Sequence, residues 1–442
     1  MSKRLMTLLT AAIVLGLGPS SLRPAESERP YLEAAVRAAR WLEATARVDS
    51  RGTSWPVAPS EDKTVQADLY SGVAGTLLFF LEMSRATGER SYLDRACSAA
   101  DFIRAELDSV EDPGLYTGTS GLAYALEETY KLSREPRYRR AFHDCLDRIK
   151  SRAVKAGKGI EWGPVTDIIA GGSGIGLFLL YASQELGDAS LEALAEQAGE
   201  RLIELGRPEA GGLKWAMSPD YPRLMPNFSH GTAGVAYFLA TLFQRSGKRE
   251  HLEAALAGAR YLTAVADTTG GGCLIFHDEP DNRDLYYLGW CHGPAGTARL
   301  FARLLEVTGD AVWKGWLTRA ALSVLHSGIP EKQTPGFWNN VGMCCGTAGV
   351  ADFMLDAYRL CGDTAYRDFA ERLTASLLAR AEPEDGGIKW TQAEHRTRPD
   401  FLQAQTGLMQ GAAGIGLWLL RLDELLRARP RGIVLPDDPF LP

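Results

Sequence analysis

Apolar and polar positions along this chain fall into two alternating helical patterns. One is amphipathic. In YLEAAVRAARWLEATA, starting at Tyr31, apolar residues recur at helical spacing on one face and Arg and Glu occupy the other. Segments of this kind span roughly 31–46, 91–108, 137–153, 190–205, 249–266, 310–327 and 364–381, and they read as surface helices covering a core. The second pattern is apolar on nearly all sides, as in VAYFLATLF at 235–243 or LWLL at 417–420. Such helices are expected to be buried.

Every uniformly apolar run follows a G-x-x-G unit. The seven units are Gly72–Gly75, Gly118–Gly121, Gly171–Gly174, Gly231–Gly234, Gly293–Gly296, Gly346–Gly349 and Gly411–Gly414, with successive starts 46 to 65 residues apart. A third feature, G-x-x-W, recurs between the two helix types at Gly52–Trp55, Gly159–Trp162, Gly212–Trp215 and Gly387–Trp390, with variants at Gly272–Ile275 and Gly336–Trp338. These read as short extended segments that plug an aromatic ring under helix ends. A sugar-binding aromatic stripe is the competing reading, and core packing is preferred.

A repeat of this length implies one architecture rather than several domains. The expected fold is all-α: an α/α toroid, a double-layered barrel of seven inner and seven outer helices. The inner N-termini would converge on one mouth, where unpaired N–H groups favour anions and thiolates.

Candidate chemistry sits in that slot. Ser71, Thr117 and Gln410 look inert there. Asp167 lies four residues before Gly171, His230 directly precedes Gly231, Cys291 and His292 precede Gly293, and Cys344 and Cys345 precede Gly346. Three thiolates without a fourth protein ligand fit zinc with an open coordination position. A vicinal disulfide of Cys344 and Cys345, or two buried thiols, is the alternative. His230 is read as an acid/base group rather than a cap. Asp167 either supports it or caps the third inner helix, and His292 either supports the metal or points away. The remaining histidines, His277 and His395 among them, read as ordinary helix-face or loop residues. Cys97, Cys145 and Cys361 read as buried small hydrophobes on helices, and Cys273 as part of a short strand.

The 442 residues carry a formal charge of -7 and no basic stripe, which argues against nucleic acid or an anionic membrane as partner. The N-terminus changes the picture more. Lys3 and Arg4 precede an uncharged run from Leu5 to Leu17, followed by small residues and Pro19. This is the layout of a secretory signal peptide, assigned to residues 1–25. The protein is then exported, periplasmic or secreted, with no stable membrane insertion once the signal is cleaved; retention as an uncleaved anchor is the alternative. The toroid domain would span 26–428, and 429–442, rich in Pro and Asp, would be a tail packed on the surface or loosely ordered.

Four blocks resemble the signatures of the lanthionine synthetase C-like (LanC-like) family: DIIAGGSG at 167–174, SHGTAG at 229–234, GWCHGPAG at 289–296 and MCCGTAGV at 343–350. The resemblance covers about 30–428. It implies an α/α toroid with Zn2+ on Cys291, Cys344 and Cys345, His230 as acid/base group and Asp167 as its partner. It also implies the reaction: Michael-type addition of a cysteine thiol to dehydroalanine or dehydrobutyrine, giving a lanthionine thioether. The implied partner is a dehydrated peptide or thiol substrate. Cys345 replaces the more usual His, which makes the zinc more electron-rich. Tyr286 and Tyr287 occupy the stretch where cyclases often carry an Arg, Arg283 being farther back, and Asn339 and Asn340 stand where glutathione-using relatives carry a Lys. Two other readings stay open: a non-catalytic zinc-binding member, and an α/α-barrel carbohydrate-active enzyme, which would need two carboxylates at the mouth.

Overall fold

A computed structural model describes residues 29–440. The expected export signal at 1–25 lies outside the described residues. Among those residues, no helix is long and apolar enough to cross a membrane.

Among the described residues, fourteen α-helices follow in order: α1 Pro30–Thr45, α2 Val73–Thr87, α3 Arg90–Glu106, α4 Thr119–Ser133, α5 Pro136–Arg152, α6 Gly172–Leu186, α7 Ala189–Leu205, α8 Thr232–Ser246, α9 Arg249–Val265, α10 Pro294–Thr308, α11 Ala311–Leu325, α12 Thr347–Cys361, α13 Thr364–Ala379 and α14 Ala412–Leu426. Even-numbered helices form the inner barrel, each against the next, and α14 closes the ring on α2. Odd-numbered helices form the sheath, and the first of them, α1, packs on the last inner helix, α14. The two patterns in the sequence thus sort into two layers. In α2, 12 of 15 residues are buried. In α5 only Tyr138, Ala141, Phe142, Cys145, Leu146 and Ile149 are buried, spaced three or four apart on one face.

The tight hairpins join each inner helix to the outer helix that follows it, through two-residue turns such as Gly88–Glu89. Gly88 is left-handed at φ 76° and closes α2 by donating to Ser84 O. Arg134 takes the same conformation at φ 61° after α4.

The return from outer to inner helix is longer and carries the G-x-x-W feature as a small antiparallel hairpin, for example Arg207–Glu209 with Gly212–Lys214. The tryptophan cores are packing devices. Trp55 donates its indole N–H to Leu42 O, Trp162 to Ile149 O, Trp215 to Leu202 O and Trp390 to Leu377 O, at 2.6 to 2.9 Å. Each acceptor is one of the last carbonyls of an outer helix, which have no partner within the helix. Cys273 lies beside the Asp267–Leu274 bridge rather than inside a strand.

The glycine units have a steric cause. A Cβ on the second glycine would lie within 2.5 Å of the carbonyl oxygen six residues earlier in all seven repeats, as for Gly234 (Phe228 O, 2.2 Å) and Gly349 (Met343 O, 1.9 Å). The loop therefore lies directly on the first helical turn. This corrects one expectation. Inner-helix N-termini do converge, but loop carbonyls take their first N–H groups: Thr347 N donates to Asn340 O and Ala348 N to Val341 O. The mouth is lined by side chains rather than by free amides.

A second correction concerns the tail. Residues 432–440 run inside the barrel. Asp437 and Asp438 are buried, and Phe440 is 6% exposed. Tyr124 Oη donates to Val434 O and Tyr116 Oη to Asp437 Oδ1. Arg299 donates to Asp437 O, and Arg431 pairs with Asp438 at 2.6 Å. These buried arginines, set by the inner helices and the tail, are what draws a Pro- and Asp-rich segment inward.

Replacing Trp215, which is 1% exposed, by Phe strands Leu202 O without a partner. It should lower the unfolding free energy by about 2 kcal/mol or more. Trp162→Phe, at a half-buried site where water can substitute, should cost under about 1 kcal/mol. Urea midpoints of the two variants, read at equal slopes, check the ordering.

Candidate functional site

The residue two positions before each first glycine lies on a closed circle of backbone hydrogen bonds. Tyr70 N donates to Tyr116 O, Tyr116 N to Ile169 O, Ile168 N to Ser229 O, Ser229 N to Cys291 O, Cys291 N to Cys344 O, Cys344 N to Met409 O and Met409 N to Tyr70 O, at 2.8 to 3.2 Å. Cys291 and Cys344 are consecutive members of the circle, and Cys345 follows the second. The three sulfurs meet: Cys291 Sγ is 3.0 Å from Cys345 Sγ, Cys345 Sγ is 3.4 Å from Cys344 Sγ, and all three lie within 4.8 Å of one another. These separations exceed the ~2.05 Å of a disulfide bond, and all seven cysteines are free. The cluster can hold a metal ion.

Electrostatically, the thiols are unequal. Donation from Cys291 and Cys345, with a further hydrogen bond from Tyr70, holds Cys344 well below the ordinary thiol range against the opposing effect of burial. Burial, then the Cys344 hydrogen bond, raises Cys291. Hydrogen bonds to Cys291 and Cys344 raise Cys345. Tyr70 is itself pushed up by burial and by the Cys344 and Cys345 charges, so its hydroxyl stays a donor.

His230 and Asp167 are also brought together, with Nδ1 2.6 Å from Oδ2. Asp167 also serves as a cap: its Oδ1 accepts from Ala170 N and Gly171 N just before the third inner helix, each at 2.9 Å. Asp68 makes the same capping turn in the first repeat, accepting from Ser71 N and Gly72 N. The capping is therefore a property of the slot, and the histidine on the second oxygen is particular to Asp167. Burial disfavours charge on His230, but the Asp167 hydrogen bond and charge outweigh it and raise its pKa. His292 turns into the cavity rather than away. It is buried, with its ring 5.6 Å from that of His230, and burial, then His277 and His230, keeps it neutral.

The three thiols, Tyr70, His230 and His292 line one cavity of about 400 Å³, opening to solvent past Arg223, His395 and Arg396. Several of its residues had no signal in the sequence reading. Gln410 is not inert: it lines the cavity and donates to Tyr70 Oη at 3.1 Å. His277 is not an ordinary loop residue: it lines the cavity with its ring 4.3 Å from His292. Tyr70 could have been found, because it occupies the same slot as Cys291 and Cys344. Trp338 was marked only as a packing variant of the G-x-x-W feature and Tyr287 only by the family resemblance, whereas Arg396 lies off the repeat and carries no mark. Asn340 is buried and committed to the frame, donating to Ala393 O and Gln410 Oε1. Away from the site, Cys145 and Cys273 are buried, and Cys97 and Cys361 are half-buried.

A two-layered helical toroid with a three-thiol cluster and a His–Asp pair in one mouth defines the class of protein. The lanthionine synthetase C-like family model matches residues 63–431. The chain belongs to that family. It is 22% identical over 305 residues to "Glutathione S-transferase LANCL1" of Danio rerio, covering 66% of this chain and 70% of that one. The fold is similar to that of nisin cyclase, with a TM-score of 0.61 and 17% identity, covering 90% of this chain and 94% of that one.

Asp167→Asn leaves His230 buried without its counter-charge, so the imidazole midpoint should fall, as followed by its Cε1–H NMR signal. The sign for stability follows from the raised pKa. The pair stabilises the fold fully below the unfolded value near 6.5 and loses that contribution as pH rises through the raised midpoint. The Asn variant should therefore lose more stability at pH 5 than at pH 9.

Proposed function

We propose that this chain is a zinc enzyme that adds a cysteine thiol to a dehydroalanine or dehydrobutyrine residue. The observation that carries the reading is the meeting of Cys291, Cys344 and Cys345 in one cavity with His230, whose Nδ1 is held by Asp167. The donor set fits the metal: zinc–sulfur bonds of about 2.3 Å put tetrahedral sulfurs about 3.8 Å apart, and these three lie within 4.8 Å. Zinc held by Cys291, Cys344 and Cys345 would supply Lewis acidity that lowers the pKa of a substrate thiol.

The chain's own residues supply the rest. Addition forms a C–S bond at the β-carbon and leaves an enolate that needs a proton at the α-carbon. His230 is the donor, because Asp167 fixes its Nδ1 and favours its charged form. His292, held neutral, adds no positive charge that would compete for the thiolate. The carbohydrate-active alternative is not favoured. Glu394 is the only carboxylate among the described residues lining the cavity, and it accepts a hydrogen bond from Gln405. The setting we propose is outside the cytoplasm, on the strength of Lys3, Arg4 and the uncharged run after them.

Purified protein should contain about one zinc per chain, and Cys291→Ala should remove it. A peptide carrying dehydroalanine and a free cysteine should lose its reactive thiol at constant mass when incubated with the wild type. His230→Gln should keep the zinc and slow this by about 10²–10⁴-fold. Undiminished cyclisation by Cys291→Ala would sink the reading.

A further inference from the structure

Thiol addition moves two protons: one leaves sulfur, and one arrives at carbon. The geometry points to a general base distinct from His230, namely His277 held by Asp278, facing the same cavity as His230 and receiving the proton that the substrate thiol gives up. This inference rests on the thiol-addition reading above.

His277 sits in the connection between α9 and α10, on a loop that is pinned throughout. Its own N–H donates to Leu285 O at 2.7 Å, Asn282 N donates to Asp278 O, and a bridge joins Glu279 to Leu224. Asp278 is completely buried. Its Oδ2 lies 2.6 Å from His277 Nδ1 and accepts from Asn282 Nδ2 at 2.8 Å. Its Oδ1 has no partner in the protein. A buried carboxylate with an unmet oxygen costs stability, and loop closure alone does not require it. With Nδ1–H given to Asp278, the neutral ring carries its lone pair on Nε2. The ring is set by Tyr287 at 4.4 Å and His292 at 4.3 Å. His292 thus has a His–Asp pair on either side.

The groups facing His277 are Asp278, Tyr287, His292, Arg223 and Arg396. Burial, reinforced by the two arginines, outweighs Asp278 and keeps the ring neutral. His230 is shifted the opposite way. Two imidazoles pushed apart in this manner divide the labour of one reaction. The S–H bond breaks with its electron pair left on sulfur, and the proton goes to His277. The thiolate forms the C–S bond, the displaced π pair becomes the enolate, and His230 delivers a proton to the α-carbon. Proton return from His277 to His230 through solvent restores both, so the thiol proton ends on carbon.

The test counts protons rather than turnover. Binding of N-acetylcysteine to the zinc-loaded protein at pH 7 is measured by calorimetry in buffers of differing ionisation enthalpy. Wild type should release clearly less than one proton per thiol bound, because the negative charge of the bound thiolate offsets the burial that holds His277 low and lets the ring keep part of the proton. His277→Asn and Asp278→Asn should each release about one per thiol bound, and His230→Asn should match wild type. His277→Gln, which keeps an amide donor toward Asp278, is the second variant should Asn disturb the loop; one zinc per chain verifies each protein. Equal release from wild type and the His277 variants overturns the second pair and leaves thiol addition standing. A wild type that binds no thiol contradicts thiol addition itself and takes this inference with it.

Discussion

The circle of backbone hydrogen bonds through Tyr70, Tyr116, Ile168–Ile169, Ser229, Cys291, Cys344 and Met409 is the constraint on which the site depends. Each repeat contributes one donor and one acceptor, so no member can move without breaking links on both sides. Cysteines 53 residues apart in sequence become neighbours because Cys291 N donates to Cys344 O. Their sulfurs then need only common rotamers to approach, and the next residue, Cys345, supplies the third. The circle slips by one residue in a single place: Ile169 accepts and Ile168 donates. That slip falls beside Asp167, which folds over its own loop to hold two amides.

The circle is supported from below. The tail threads the barrel until Phe440 shares a narrow space with Trp290 and Met409. Trp290 precedes Cys291, and Met409 accepts from Cys344. Arg299 lies against both Phe228 and Phe440 and donates to Asp437 O. Arg421 pairs with Asp352 and Asp356 of α12, the helix that starts just after Cys345. Burying so many ions is expensive unless each is paired. Here the pairs tie the chain end to helices that carry the site, so core packing and site geometry are one problem rather than two.

The fold was legible because both helix types leave a periodic trace and the glycine units mark every inner helix. The thiols and His230 were legible because they share a slot with those glycines. Asp167 was legible only in part: its spacing pointed to the site, but the same spacing caps a turn at Asp68 without any histidine. The tail was misread because Pro and Asp predict solvent exposure, and only the barrel's buried arginines reverse that. His277 and Arg396 were invisible because they come from connections outside the repeat, where neither period nor spacing applies, and Trp338, a variant of the G-x-x-W feature, was read as packing alone.

Those connections divide the work with the frame. Twelve residues separate α3 from α4, whereas thirty-two separate α13 from α14. Among the described residues, none of the short connection lines the cavity, while the long ones supply Arg223, His277, Tyr287, Trp338 and Arg396. The frame fixes which residues meet at the cluster and is repeated seven times. The walls are unrepeated, and they carry the groups that tune protonation: Arg223 and Arg396 act on His277 from different connections. A substitution in the frame therefore disturbs the thiol cluster and stability together, whereas one in a wall changes the electrostatics around a cluster that stays assembled.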